Sequence, residues 1–158
     1  MKAASISALK KELQHCSQEE LIALCLRLAK FKTENKELLS YLLFMANNDD
    51  NYITTVTTLL DSQFETINTD SFHYIKKSIR KILRMLKKFS RYSGKKETEV
   101  ELLLYFCKKL KEFKPSIFSN VALSNLYDRQ IASIKKTVAS MHEDLQYDFY
   151  TELEKLKA

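Results

Sequence analysis

The chain has 158 residues, of which 45% are hydrophobic and 29% charged, with a net charge of +6. That length and composition fit one folded domain, residues 1–158, and exclude a disordered polar chain. One glycine, Gly94, and one proline, Pro115, cannot supply the turns of a sandwich, a barrel or a βαβ array, nor a glycine-rich phosphate loop or dinucleotide fingerprint.

Apolar residues recur at spacings of three and four almost throughout, which predicts helices. Ile6, Leu9 and Leu13 share one face of a first helix. Ser17 and Glu20 form a capping box ahead of a second, which carries Leu21, Leu24, Cys25, Leu28 and Phe31. Thr33 caps a third, with Leu38, Leu39, Leu42 and Met45, and the polar cluster Asn47–Asn51 ends it. Tyr52–Thr66 is rich in β-branched residues and would suit a strand. Ile53, Val56, Leu60, Phe64 and Ile67 nevertheless keep to one helical stripe, so a helix is predicted.

Asp70 or Ser71 caps a long helix that runs to about Tyr92, with Gly94 as its terminator. The next is expected from about Thr98 to Phe113, with Val100, Leu103, Leu104, Cys107 and Leu110 inward. Pro115 marks a boundary. Ile117–Met141 then forms one helix or two on the stripe Val121, Leu126, Ile131, Ile134 and Val138. Leu145, Phe149, Leu153 and Leu156 mark the last. The fold class is all-α, with seven to nine amphipathic helices in an antiparallel bundle or a short α-α superhelix.

Charge is unevenly placed. Ser71–Lys96 holds ten basic residues and no acid, whereas the remainder holds 16 basic and 20 acidic residues. On a helix over 71–92, Ile75, Ile79, Ile82, Leu83 and Leu86 lie on one side. Lys77, Arg80, Lys81, Arg84, Lys87, Lys88 and Arg91 lie on the other. Such a strip can follow a phosphate backbone, an acidic protein or an anionic lipid surface. The plainer alternative is a solvated face, neutralised by acids such as Glu97, Glu99 and Glu101.

No catalytic or metal centre is predicted, and no cofactor. Glu12 and His15 have the Glu-x-x-His spacing of di-iron bundles, but the required second pair is missing from the sequence. Cys16, Cys25 and Cys107 have no zinc-ligand spacing. Their odd number, with no leader-like apolar run near Met1, predicts free thiols and a cytoplasmic location. The longest apolar runs, Leu21–Leu26 and Tyr41–Ala46, are too short to span a bilayer. Tyr147, Phe149 and Tyr150 are expected in packing, or on the rim of a cleft.

The segments Leu9–Leu13, Ser17–Ile22 and Leu42–Phe44, followed by a helical second half ending in the aromatic stretch Leu145–Leu156, resemble a bacterial family of all-helical domains of unknown function. The chain departs from that pattern at Asn47-Asn48-Asp49, where members tend to have Asn-Pro, and at Tyr147-Asp148-Phe149, where they tend to have a glycine. The resemblance implies an all-α bacterial protein and assigns no activity, cofactor or site residue. The function expected from the residues is therefore that of a non-enzymatic helical interaction or scaffold protein, its partner another protein or a second copy of itself. The alternative expectation is a nucleic-acid-associated protein that binds through the basic face of helix 71–92.

Overall fold

The computed structural model describes residues 1–157. Among them there are eight α-helices, one short 3-10 turn and no strand: α1 (Ile6–Gln14), α2 (Gln18–Phe31), α3 (Thr33–Phe44), α4 (Asp49–Glu65), α5 (Phe72–Ser93), α6 (Lys96–Glu112), the turn Ile117–Ser119, α7 (Val121–Ala139) and α8 (Glu143–Lys157). No helix among the described residues is long and apolar enough to cross a membrane. The chain divides into two compact units, Met1–Phe44 and Met45–Ala158.

In the first unit, Ser5 caps α1 by accepting from the Ala8 N–H at 3.2 Å. The Ser17–Glu20 capping box of α2 is complete. The Glu20 N–H donates to the Ser17 hydroxyl and the Ser17 N–H to the Glu20 carboxylate, at 3.2 and 3.0 Å. Each bond satisfies a donor that the helix itself leaves unpaired. Thr33 is the first residue of α3, not its cap; the extended Lys32 ends α2, and its carbonyl accepts the first N–H groups of α3. The α2–α3 hairpin is tied by the Asn35 side-chain amide, which donates to the Leu28 carbonyl at 2.8 Å.

In the second unit, α6 packs against α4, α5, α7 and α8. Such a position requires apolar residues around most of the helix. Val100, Leu102, Leu103, Phe106, Cys107 and Leu110 are accordingly all buried. Leu104, expected inward, is only half-buried, and Leu102 and Phe106 take core positions.

The β-branched run Ile53–Thr58 is helical. The hydroxyls of Thr55, Thr57 and Thr58 each donate to the carbonyl four residues back. This bonding satisfies them inside the helix and removes the advantage of a strand. Helix α4 starts three residues before Tyr52 because the Asn48 side chain caps it, accepting from the Asn51 N–H at 3.0 Å. The cluster Asn47–Asn51 therefore begins a helix as well as ending one.

Gly94 adopts the left-handed conformation, φ 66°, and closes α5. Between Ile117 and Met141 the chain forms the short turn and then α7, capped by Asn120. The buried stripe of α7 is Leu123, Leu126, Tyr127, Gln130, Ile134 and Val138. It is rotated from the expected one: Val121, in the first turn, is 77% exposed, and Ile131 is half-buried.

Candidate interaction surfaces

Helix α5 displays the charge separation that its sequence predicts. Ile75, Ile79, Ile82, Leu83 and Leu86 are buried, which fixes the roll of the helix and turns the opposite side to solvent. Lys77, Arg80, Lys81, Arg84, Lys87 and Arg91 are exposed there. Lys88 is half-buried, its ammonium 5.2 Å from the centroid of the Phe89 ring. Among the described residues, none of the six exposed cations has a carboxylate within 4.0 Å. Glu99 lines one pocket with Lys87 and Arg91 but makes no ion pair with either within 4.0 Å. The basic residues just beyond the helix are engaged elsewhere: Lys95 meets Asp49 at 2.7 Å, and Lys96 donates to the Ser140 hydroxyl. Six like charges aligned on one helix without internal acids repel one another, and an external anion relieves that repulsion.

The second surface is apolar and lies in Met1–Phe44. Only Ala29 and Tyr41 are buried there, and twelve large aliphatic or aromatic residues from Ile6 to Phe44 are exposed. Helix α1 has no buried residue, so the stripe Ile6, Leu9 and Leu13 faces water. On α2 the side facing α3 is served by Ala29, while Leu24, Leu28 and Phe31 are 42%, 62% and 82% exposed. With Leu21 they follow spacings of three, four and three, which is the seam of a helix packed against another helix. Periodicity revealed these stripes in the sequence. It did not reveal that they stay uncovered.

Among the described residues, no three His, Cys, Asp or Glu side chains are placed to hold a metal. Cys107 is fully buried, and burial pushes its thiol up to about 12, which suppresses the reactive thiolate. The Tyr105 hydroxyl donates to both Asp61 oxygens at 2.7 and 2.8 Å, and Lys109 approaches Asp61 at 3.2 Å. Burial, followed by the bond to the Asp61 carboxylate and its charge, raises that phenol to about 12. This cluster bridges α4 and α6 and was not legible in the sequence, where its members are 44 residues apart. An open groove of about 940 Å³ runs between α6 and α8 and is lined by Tyr105, Lys108, Tyr147 and Glu152, among others. Tyr147 stands on its rim, whereas Phe149 is buried. The lining mixes both signs of charge, and the Lys155 ammonium meets the Glu152 carboxylate there at 2.7 Å.

Comparison with family models, with curated proteins and with solved structures finds no match to this chain.

Proposed function

We propose that this chain is a non-enzymatic helical interaction protein. The observation that carries this proposal is the uncovered apolar surface of Met1–Phe44, where twelve large side chains each expose more than a third of their area. Among them Leu24, Leu28 and Phe31 share one stripe of α2, and apolar side chains left in water side by side mark sites of contact with other molecules. Such a surface lowers its free energy by meeting another apolar surface. Complex formation by the full-length chain tests the proposal, by light scattering and by recovery of partners from an extract. Complexes are expected, and they are lost in Leu24→Glu/Leu28→Glu. A strict monomer that recovers no partner removes the proposal.

A second reading, nucleic-acid association, rests on a separate observation: among the described residues the six exposed cations of α5 have no carboxylate within 4.0 Å. From Lys77 to Arg91 the strip extends roughly 21 Å at the rise of an α-helix, long enough to contact several phosphates of one duplex groove edge. Binding of this kind releases condensed counterions and falls steeply with salt. Retention on duplex DNA at low salt is expected, with affinity falling linearly against salt on logarithmic axes. In Lys77→Glu/Arg80→Glu/Arg84→Glu/Lys88→Glu, retention is lost while the helical circular dichroism is kept. Absence of retention at low salt removes this reading.

A further inference from the structure

The cations of α5 form one wall of a larger basic cleft within the second unit. We infer, resting on the nucleic-acid reading above and deepening it, that this cleft seats a single strand of nucleic acid, its phosphates held between α5 and α7.

The first wall is the C-terminal end of α5. Lys87 and Arg91 are exposed there, and among the described residues neither has a carboxylate within 4.0 Å. Both line an open pocket of about 500 Å³, together with Lys95, Lys96 and Glu99 around the start of α6 and Ser133 of α7. Four cations stand in that lining against the one acid, Glu99, and Asp49 takes up the charge of Lys95 alone. The pocket therefore keeps a positive surplus.

The second wall is α7, and its roll follows from Ser133. Residues three and four apart share one side of a helix, so the side of α7 that brings Ser133 to the pocket also carries Arg129 and Lys136. Ser140, a further turn along, accepts from the Lys96 ammonium at 3.0 Å, which ties this side of α7 to the start of α6. Arg129 and Lys136 are exposed, and among the described residues neither has a carboxylate within 4.0 Å. Lys135 lies on the opposite side of the helix, within electrostatic reach of Glu154 on α8.

Cations on two walls enclose one phosphate backbone, as grooves that track a single strand do. A volume of about 500 Å³ is that of a small-molecule pocket, roughly 300–1,000 Å³. One strand enters such a space, whereas a duplex rests on the outer row of α5. An arginine on each wall, Arg91 and Arg129, adds paired N–H donors that match phosphate oxygens. The first unit is itself net positive, with seven basic and five acidic residues, and is no counterion for the cleft.

The test is fluorescence anisotropy of the full-length chain with labelled oligothymidine of about 16 nucleotides, in salt from about 50 to 200 mM. The single strand is expected to bind more tightly than a duplex of the same length at equal salt. Arg129→Glu and Lys136→Glu are each expected to weaken binding about tenfold and to lower the salt slope by about 0.7. Lys135→Glu makes the same change of charge one residue away, and is expected to stay within about twofold of the unaltered chain. All three positions are exposed, so helical circular dichroism is expected to be kept; Lys136→Gln replaces Lys136→Glu should it be lost.

Equal losses at Lys135 and Lys136 overturn the inference, as does a duplex that binds as tightly as the single strand. So does polyglutamate that displaces the strand as readily as unlabelled oligothymidine of equal charge, which marks the cleft as a site for acidic protein. If Lys77→Glu/Arg80→Glu/Arg84→Glu/Lys88→Glu abolishes binding while the α7 variants keep it, the cleft is excluded and the nucleic-acid reading stands. If neither single strand nor duplex is bound at low salt, both fall.

Discussion

Helix α6 buries seven of its 17 residues, while α2 buries one of 14. The two are alike in sequence: each has acids in the first turn, lysine in the last and a leucine-rich centre. They differ in how many neighbours they have. Four helices surround α6, whereas α2 packs chiefly against α3. Burial of an apolar residue is therefore decided by the number of elements around its helix, which no local pattern encodes. The same contrast holds between the two units. Twenty-three of the 25 buried hydrophobic residues lie beyond Phe44, and 13 of the 19 exposed large ones lie at or before it.

The largest expected effect exploits that contrast directly. Phe106 is wholly buried, with the Phe64 ring 5.9 Å away. Phe106→Ala removes a large apolar group from a site walled by several helices, so it is expected to cost about 3–5 kcal/mol by chemical denaturation. Leu28→Ala, in solution dilute enough to hold single chains, is expected to change stability by less than about 0.5 kcal/mol. Comparable losses at the two sites would break the comparison and show that the first unit has a core of its own.

The second effect is alkaline and belongs to the second unit alone. The Cys107 thiol has an ordinary value of 9.0 and is pushed up to about 12 by burial. The unfolded chain releases this proton near pH 9, while the folded chain keeps it. Stability from this group is complete below pH 9 and is lost as pH rises from there towards about 12. Tyr105, raised from 10.0 to about 12, acts in the same direction. Urea midpoints measured at steps from pH 8 to 11 are expected to fall, and to fall less steeply in Cys107→Ala. An unchanged slope in that variant would show that the thiol reaches water in the folded state.

Much of this architecture is legible in the sequence. The capping box at Ser17 and Glu20, the terminating Gly94 and the inward stripe of α5 are local features, set by hydrogen bonds and side-chain direction within one or two turns. Those predictions hold at the level of single residues. The departures arise where position depends on a distant neighbour. Val121 fits the apolar period of α7 yet stands exposed in its first turn. Gln130 breaks that period yet is buried, its amide nitrogen donating to the Leu126 carbonyl at 3.3 Å. The α5 candidates divide along the same line. Their common face follows from spacing, but whether they form ion pairs depends on where α6 places Glu97, Glu99 and Glu101, which only the assembled fold determines. Among the described residues none of these carboxylates lies within 4.0 Å of the six exposed cations.

The smallest effect compares two caps of like chemistry. Ser17 accepts from the Glu20 N–H at 3.2 Å at the start of α2, and Asn120 accepts from the Leu123 N–H at 3.1 Å at the start of α7. Ser17→Ala and Asn120→Ala each remove one such bond, at a cost of about 1 kcal/mol. The cost should be felt differently. Helix α7 is held by six buried residues, so its first turn opens only with the rest of the unit. Asn120→Ala is therefore expected to lower the global unfolding transition, with little change in amide exchange near Val121. Helix α2 has one buried residue to hold it. Ser17→Ala is expected to let its first turn open alone, speeding exchange at Glu20 and Leu21 by roughly fivefold, while the transition of the second unit stays in place. If instead Ser17→Ala shifts the global transition as far as Asn120→Ala does, the two units unfold as one, and the thin burial of the first is no measure of its stability.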